Sequence, residues 1–176
     1  DRRDREALRF LASHDALTGL LNRRELVTTL AHLLAQDRPP GTQVAVLFVD
    51  LDRLKAINDT YGHVIGDRVL TAAADRIRAR VGGDDIVARY GGDEFVVVIP
   101  TAHGPIEALH RAAAMHQGAA QPVPLKDDRG VGISFSIGVA LATPGEDPDA
   151  VLHRADAALY RAKRTGRART VVYDSA

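Results

Sequence analysis

Arg89-Tyr90-Gly91-Gly92-Asp93-Glu94-Phe95 is the stretch on which the reading of this chain turns. Asp85-Ile86-Val87-Ala88 precedes it and Val96-Val97-Val98-Ile99 follows. Two β-branched runs around Gly-Gly-Asp predict a hairpin, with glycine supplying the positive φ of a tight turn. The second run is apolar enough to be a core strand, so Asp93 and Glu94 at its start must face water or a cation. Gly91 and Gly92 carry no Cβ, which leaves the backbone open to close approach by a bulky anionic group. Taken alone, Gly-Gly-Asp is more often an ordinary solvated turn. Glycines beside carboxylates at a strand end also suit a metal-bound polyphosphate, and the rest of the chain has to decide between the two.

The next strand signal lies upstream. Gln43-Val44-Ala45-Val46-Leu47-Phe48-Val49 is almost continuously apolar and reads as a strand buried on both faces. It runs into Asp50-Leu51-Asp52. A carboxylate beside an exposed main-chain carbonyl at that end suits a hard cation such as Mg²⁺. The alternative is that Asp52 caps the following helix. Only three of the 23 basic residues are lysines, and one of them, Lys55, lies a helical turn beyond Asp52. It is either a solvated helix charge or a point charge for phosphate. Asn58 and Asp67 flank Tyr61-Gly62-His63-Val64-Ile65-Gly66. An Asp accepting from N–H donors and an Asn donating to an acceptor can together read guanine, although spacing does not require that use. His63 is expected to be a structural hydrogen-bonder.

Composition limits the rest. A chain of 176 residues, 45% hydrophobic and 26% charged, is expected to be one globular domain. With 23 basic and 23 acidic residues there is no broad electrostatic footprint for nucleic acid or an anionic membrane surface. Without cysteine there is neither a disulfide framework nor a thiolate metal site. No apolar run reaches membrane-spanning length. The expected location is the cytoplasm, with membrane anchoring of a longer parent protein left open.

Outward from these motifs, residues 1–12 are charged and helix-permissive, either a frayed tail or the end of a coiled-coil stalk. Asn22 is a helix N-cap candidate before Leu26, Leu30, Leu33 and Leu34, and Pro39-Pro40-Gly41 ends that helix. Val69, Leu70, Ala73, Ile77 and Val81 predict a helix ending near 81. Ile106, Leu109, Ala113 and His116 predict another within 101–118. Residues 121–130 read as loop, 131–140 as an alternating strand, 149–164 as a last helix closed by Gly166, and 171–173 as a short final strand. In that last helix Val151, Leu152, Ala155, Ala158, Leu159 and Ala162 form the apolar stripe. Lys163 and Arg167 near its end either complement the helix dipole or clamp phosphates. The order α-β-α-α-β-β-α-β-α-β calls for a mixed sheet with helices packed on it.

Four spaced motifs together carry a resemblance: Asp15-Ala16-Leu17-Thr18-Gly19-Leu20 with Asn22-Arg23; Asp50-Leu51-Asp52 through Asn58-Asp59 to Gly62-His63 and Gly66-Asp67; Arg89 to Phe95; and Ala155-Asp156 through Ala158-Leu159-Tyr160 to Ala162-Lys163 and Gly166-Arg167. On these, the chain resembles the GGDEF family of diguanylate cyclases over nearly its whole length. The resemblance implies an α/β (α+β) fold, with a central mixed, mostly antiparallel sheet flanked by helices, similar to the adenylyl-cyclase and polymerase-palm fold. It implies a stalk over residues 1–14 and a catalytic domain over 15–176. Asp50, Asp93 and Glu94, with the carbonyl of Leu51, would bind Mg²⁺ or Mn²⁺. Asn58 and Asp67 would recognise guanine. Gly91 and Gly92 would admit the nucleotide phosphates, and Lys55, Lys163 and Arg167 would neutralise them. Asp93, Glu94 and Lys55 would be the catalytic groups. The implied reaction joins two GTP into cyclic di-GMP across a homodimer, in a protein with an upstream sensory domain. The alternative within the family is a regulatory module that binds GTP or cyclic di-GMP with low activity.

One departure bears on regulation. The family often carries an Arg-x-x-Asp product-inhibition site that ends six residues before the first motif glycine. Asp85 is in place, but the arginine position is Gly82, with Arg80 two residues further back. Weak or absent product inhibition is expected.

Overall fold

The strand over Gln43–Leu51 (β1) is the spine of the molecule, since every residue after Gln43 in it is buried. A computed structural model describes residues 1–174; residues 175 and 176, the end of the domain as read from sequence, lie outside them. In chain order the other elements are α1 (Arg2–Ser13), α2 (Arg23–Ala35), α3 (Leu54–Tyr61), α4 (His63–Arg78), β2 (Ile86–Arg89), β3 (Glu94–Ala102), α5 (Pro105–Ala119), β4 (Val123–Pro124), β5 (Gly130–Val131), β6 (Phe135–Leu141), α6 (Pro148–Arg164) and β7 (Thr170–Val172). The main sheet has the order β2-β3-β1-β6-β7. All its pairs are antiparallel except β6 with β7. This is the mixed, mostly antiparallel sheet expected from the motifs.

Both faces of the sheet are covered, which is why β1 needs no polar alternation. Ala45, Leu47, Val49 and Leu51 pack into a core with Val69, Ala73 and Ile77 of α4 and Ala108, Ala112 and Met115 of α5. Val44, Val46 and Phe48 pack on the other side with Leu26, Leu30 and Leu34 of α2 and Val151, Leu152, Ala155 and Leu159 of α6. Asn22 caps α2 as its sequence position suggested, its side chain accepting from the Glu25 amide at 2.9 Å. The stripe read for α6 is buried at all six positions.

Four local readings need correction. In α5 the buried stripe is Ala108, Ala112, Met115 and Ala119, while Ile106 and Leu109 are exposed. Small alanines face the sheet there because the larger side chains of the strands already fill the space. Residues 121–130 are not all loop, because β4 and β5 pair as a two-residue hairpin. The strand read over 131–140 is broken, with Val131 in β5 and Phe135–Leu141 in β6. Helix α4 stops at Arg78, short of Val81. At the other end of the chain, α1 is a formed helix with no buried residue and leaves Leu8, Phe10 and Leu11 exposed.

Candidate active site

Strand register builds the acidic centre. Asp50 on β1 stands directly opposite Glu94 on β3, and opposed residues of an antiparallel pair point to the same face. That face is the one covered by α2 and α6. Asp93 sits in the turn just before β3, and its carbonyl accepts the Leu51 amide at 2.9 Å, tying the turn to the end of β1. One oxygen from each of Asp50, Asp93 and Glu94 lies within 4.8 Å of the others. Three converging hard oxygen donors fit a divalent cation such as Mg²⁺.

Helix α6 delivers a cation of the chain's own. Lys163 forms an ion pair with Asp50, whose side chain is only 4% exposed. The helix comes this close because Gly138 faces it: a Cβ there would overlap the backbone of Ala155 and Leu159. Burial raises the Asp50 carboxyl to about 7, with Asp93 pushing the same way and Lys163 opposing. Glu94 is raised by burial and by its neighbours Asp93 and Asp156, against Lys163 and Arg23. Burial acts to lower Lys163, but the attraction of Asp50, Asp93 and Glu94 outweighs it and the ammonium is raised. Even with Lys163 in place, the centre is short of positive charge. A cavity of about 280 Å³ opens beside it, lined by Arg23, Tyr90, Glu94, His153 and Asp156 among others.

The turn itself differs from expectation in one respect. Neither Gly91 nor Gly92 has a positive φ, so the glycines are not there for left-handed backbone. They are there for room. A Cβ at Gly91 would sit 2.6 Å from a Glu94 carboxylate oxygen, whereas one at Gly92 would meet no protein atom within 4 Å. The amides of Tyr90 and Gly91 both donate to the Glu94 carbonyl, at 2.8 and 3.3 Å. Arg89 then locks the outside of the turn, donating to the Gly91 carbonyl at 3.1 Å and to the Gly92 carbonyl at 2.8 Å.

The other sequence candidates divide. Asn58, in the last turn of α3, lies against Gly66 in the first turns of α4, next to Asp67. Neither the Asn58 nor the Asp67 side chain makes a hydrogen bond among the described residues. Lys55 and Arg167 are exposed, and only Lys163 of the three cations reaches the carboxylates. Asp52 is neither a ligand nor a cap. Its carboxylate accepts from the hydroxyls of Ser134 and Ser136, both at 2.6 Å, and from the Ala168 amide at 3.2 Å. It staples β6 to the segment before β7. His63 is exposed, with no hydrogen bond among the described residues, so the structural role expected for it is absent.

Asp85 is already occupied. It accepts from Arg111 Nε and from the Gly82 amide, both at 2.7 Å, and its side chain is 4% exposed. Arg80 lies along Gly118 of α5 instead. The partners Arg111, Gly138, Asp156 and the Asp15–Arg89 pair were not assigned from sequence. Asp15 and Arg89 stand 74 positions apart, a separation that carries no local signal.

A sheet covered on both faces, with a carboxylate cluster where its central hairpin turns, defines a class of α/β domains built around an acidic cation centre. Solved structures narrow the class. The GGDEF domain of TpbB from Pseudomonas aeruginosa superimposes with a TM-score of 0.86 at 41% identity, covering 92% of this chain and 94% of that one. The coiled coil and GGDEF domain of DgcB from Caulobacter crescentus, in complex with c-di-GMP, gives a TM-score of 0.87 at 32% identity and covers 97% and 91%. Residues 12–169 match the family described as diguanylate cyclase, GGDEF domain, and the chain belongs to that family. Among curated proteins, diguanylate cyclase TpbB of Pseudomonas aeruginosa is 41% identical over 92% of this chain. The alignment covers 37% of TpbB and 20% of an uncharacterised signalling protein of Caulobacter vibrioides that is 40% identical.

Proposed function

We propose that this domain is a diguanylate cyclase, condensing two GTP into cyclic di-GMP and two pyrophosphates. The observation that carries the reading is the convergence of Asp50, Asp93 and Glu94 beneath an open Gly92, with Lys163 in reach. In each half-reaction a 3′-oxygen bonds to the α-phosphorus of the other GTP, the bond to the β-phosphate bridging oxygen breaks, and the hydroxyl proton is lost. A bound Mg²⁺, or Mn²⁺ in its place, supplies a lowered hydroxyl pKa and neutralises charge on the phosphates. Asp50, Asp93 and Glu94 hold it, with Leu51 contributing its carbonyl. Gly91 and Gly92 leave the backbone clear for the triphosphate. Lys163 is poised to exchange Asp50 for phosphate oxygen, and Lys55 and Arg167, both exposed, are assigned to neutralise the terminal phosphates. Asn58 and Asp67, whose side chains make no hydrogen bond among the described residues, read guanine. Glu94, at the start of β3 beside the reacting centre, receives the proton.

One acidic centre serves one triphosphate, so a symmetric product calls for two domains face to face. Helix α1 with its exposed Leu8, Phe10 and Leu11 fits a stalk over residues 1–14 that pairs two copies and receives a signal from an upstream sensory domain. No helix among the described residues is long and apolar enough to cross a membrane. Retention of all three carboxylates favours catalysis over a purely regulatory GTP-binding role. The test is incubation with Mg²⁺ and GTP and identification of the product by mass. Cyclic di-GMP that disappears in Asp93→Ala supports the reading; GTP binding without turnover in the wild type, dimerised through a fused coiled coil, overturns it.

A further inference from the structure

Gly66 sits inside α4 at an ordinary helical φ, where glycine has no conformational advantage and weakens a helix relative to alanine. Something other than backbone geometry must account for it. A Cβ built at this position would overlap the amide oxygen of Asn58 and lie 2.9 Å from its Cγ. The three nearest atoms all belong to Asn58, and the third is 3.6 Å away, so any other group is at ordinary contact distance or beyond. Asn58 cannot retreat as a unit. Its carbonyl accepts the Gly62 amide at 2.8 Å, closing α3, and the neighbouring Ile57 is buried in the core. The side chain could yield to a methyl group at 66 only by leaving its rotamer and swinging its amide off α4.

We propose that Gly66 is a positioning residue for the nucleotide base. Its missing side chain is the seat on which the Asn58 amide rests, and this seat holds the amide next to Asp67. Two polar side chains without a hydrogen-bond partner among the described residues, one on each helix, are then available to one planar ligand edge. The inference rests on the reading of Asn58 and Asp67 as the guanine site. It adds that α3 and α4 are joined tightly, through Gly62 at φ +87, so that one residue with no side chain can set the geometry of recognition. Gly66 touches no substrate itself.

The experiment is a double-mutant cycle on the whole chain: wild type, Asn58→Ala, Gly66→Ala, and the double variant. Binding of the α,β-methylene analogue of GTP with Mg²⁺ is measured by calorimetry, with the corresponding ATP analogue as control, and thermal melts are recorded for each protein. Asn58→Ala and Gly66→Ala should each weaken the GTP analogue about tenfold, as expected for one lost hydrogen bond to the base. The double variant should be no weaker than either, and ATP-analogue binding should not move. Alanine at 66 should lower the melting temperature in the wild type and raise it in the Asn58→Ala background, where the overlap is gone and helix propensity remains. If Gly66→Ala does not fold, the double variant carries the test through the sign of that second shift. A lower melting temperature in both backgrounds, wild-type GTP-analogue binding by folded Gly66→Ala, or additive losses in the double variant would overturn the inference while leaving the guanine site standing. Unchanged binding in Asn58→Ala would remove the guanine reading, and this inference with it.

Discussion

Arg89 and Asp15 are joined across 74 positions of sequence, with Arg89 Nη1 3.3 Å from both carboxylate oxygens of Asp15. The same guanidinium holds the carbonyls of Gly91 and Gly92, so the glycine turn and the segment that follows α1 share one clamp. Asp15 is further fixed by the amide and hydroxyl of Thr18, at 2.8 and 2.7 Å. Burial works to raise Asp15, but these bonds and Arg89 hold its carboxyl below the ordinary value. Hydrogen bonds to charged groups contribute about 1.5–3 kcal/mol each. Arg89→Ala is therefore expected to destabilise the domain by about 2 kcal/mol, and to slow cyclic di-GMP formation at least ~10-fold through a loosened turn. Thermal melts and product formation measured on the same preparation check both. A stable variant with wild-type turnover would show that the clamp is idle.

The Asp50 carboxyl gives a pH signature. Its folded value of about 7 stands above the ordinary 3.8, so the folded domain binds a proton there that the unfolded chain releases between those values. The stability associated with this group is complete below 3.8 and is lost as pH rises through 7. Melting temperature without divalent metal should fall across that window more steeply in the wild type than in Asp50→Asn. Because a cation competes with the proton, Mg²⁺ affinity should be roughly tenfold weaker at pH 6 than at pH 8. Calorimetric titration at the two pH values checks this, and equal affinities would contradict it.

Residue type and period made the strands and most helices legible. The nearly continuous apolar run of β1 announced a strand covered on both faces, and the six-residue stripe of α6 was read in full. The acidic centre was legible because its carboxylates stand at strand ends beside glycines. Sequence could not supply the groups that shape the centre from a distance. Gly138 matters only because α6 lies against it, and Arg111 only because α5 returns to Asp85. The α5 stripe was misread because bulky Ile106 and Leu109 dominate a hydrophobicity pattern, whereas available space at the sheet selects the alanines. Asp52 stands two residues beyond Asp50, but it lies just past the end of β1, where the hydroxyls of Ser134 and Ser136 and the Ala168 amide take its carboxylate.

Helix α6 sets the position of Lys163, and Gly138 sets the position of α6. Gly138→Ala places a methyl group into helix backbone, which has no rotamer to escape through. Overpacking of this kind costs about 1–3 kcal/mol. The shifted helix should also draw Lys163 away from Asp50, so the pH dependence of stability over the Asp50 window should change along with the melting temperature. A variant that melts lower with an unaltered pH profile would show that the helix tilts without disturbing its last turn.

Asp85 is spent on Arg111 and the Gly82 amide, leaving no arginine fork for a dinucleotide phosphate. Cyclic di-GMP should therefore inhibit weakly or not at all through this position. Removing one partner of a buried pair strands the other, so Asp85→Ala should destabilise the domain by about 3 kcal/mol. Inhibition constants for added product in the wild type and in Arg111→Ala, together with melts, check this. Tight inhibition that Asp85→Ala abolishes would overturn it.

Gly91 and Gly92 separate protein packing from ligand binding, because only one of them is crowded by the protein. A methyl group at 91 must push the Glu94 carboxylate aside, so Gly91→Ala alters the acidic centre even before nucleotide arrives. A methyl group at 92 meets no protein atom within 4 Å, and the backbone there needs no left-handed φ. Gly92→Ala should thus melt at or slightly above the wild-type temperature, since alanine restricts the unfolded chain more than glycine does. Any loss of GTP binding in that variant must come from the space the phosphates require. At least ~10-fold weaker binding of the α,β-methylene GTP analogue is expected, the cost of displacing a charge-assisted contact by about one carbon radius. Mg²⁺ binding without nucleotide should be unchanged, because Gly92 contributes no side-chain ligand. Wild-type nucleotide affinity in a folded Gly92→Ala protein would mean that the triphosphate lies elsewhere, and the assignment of the turn as the phosphate seat would have to be given up.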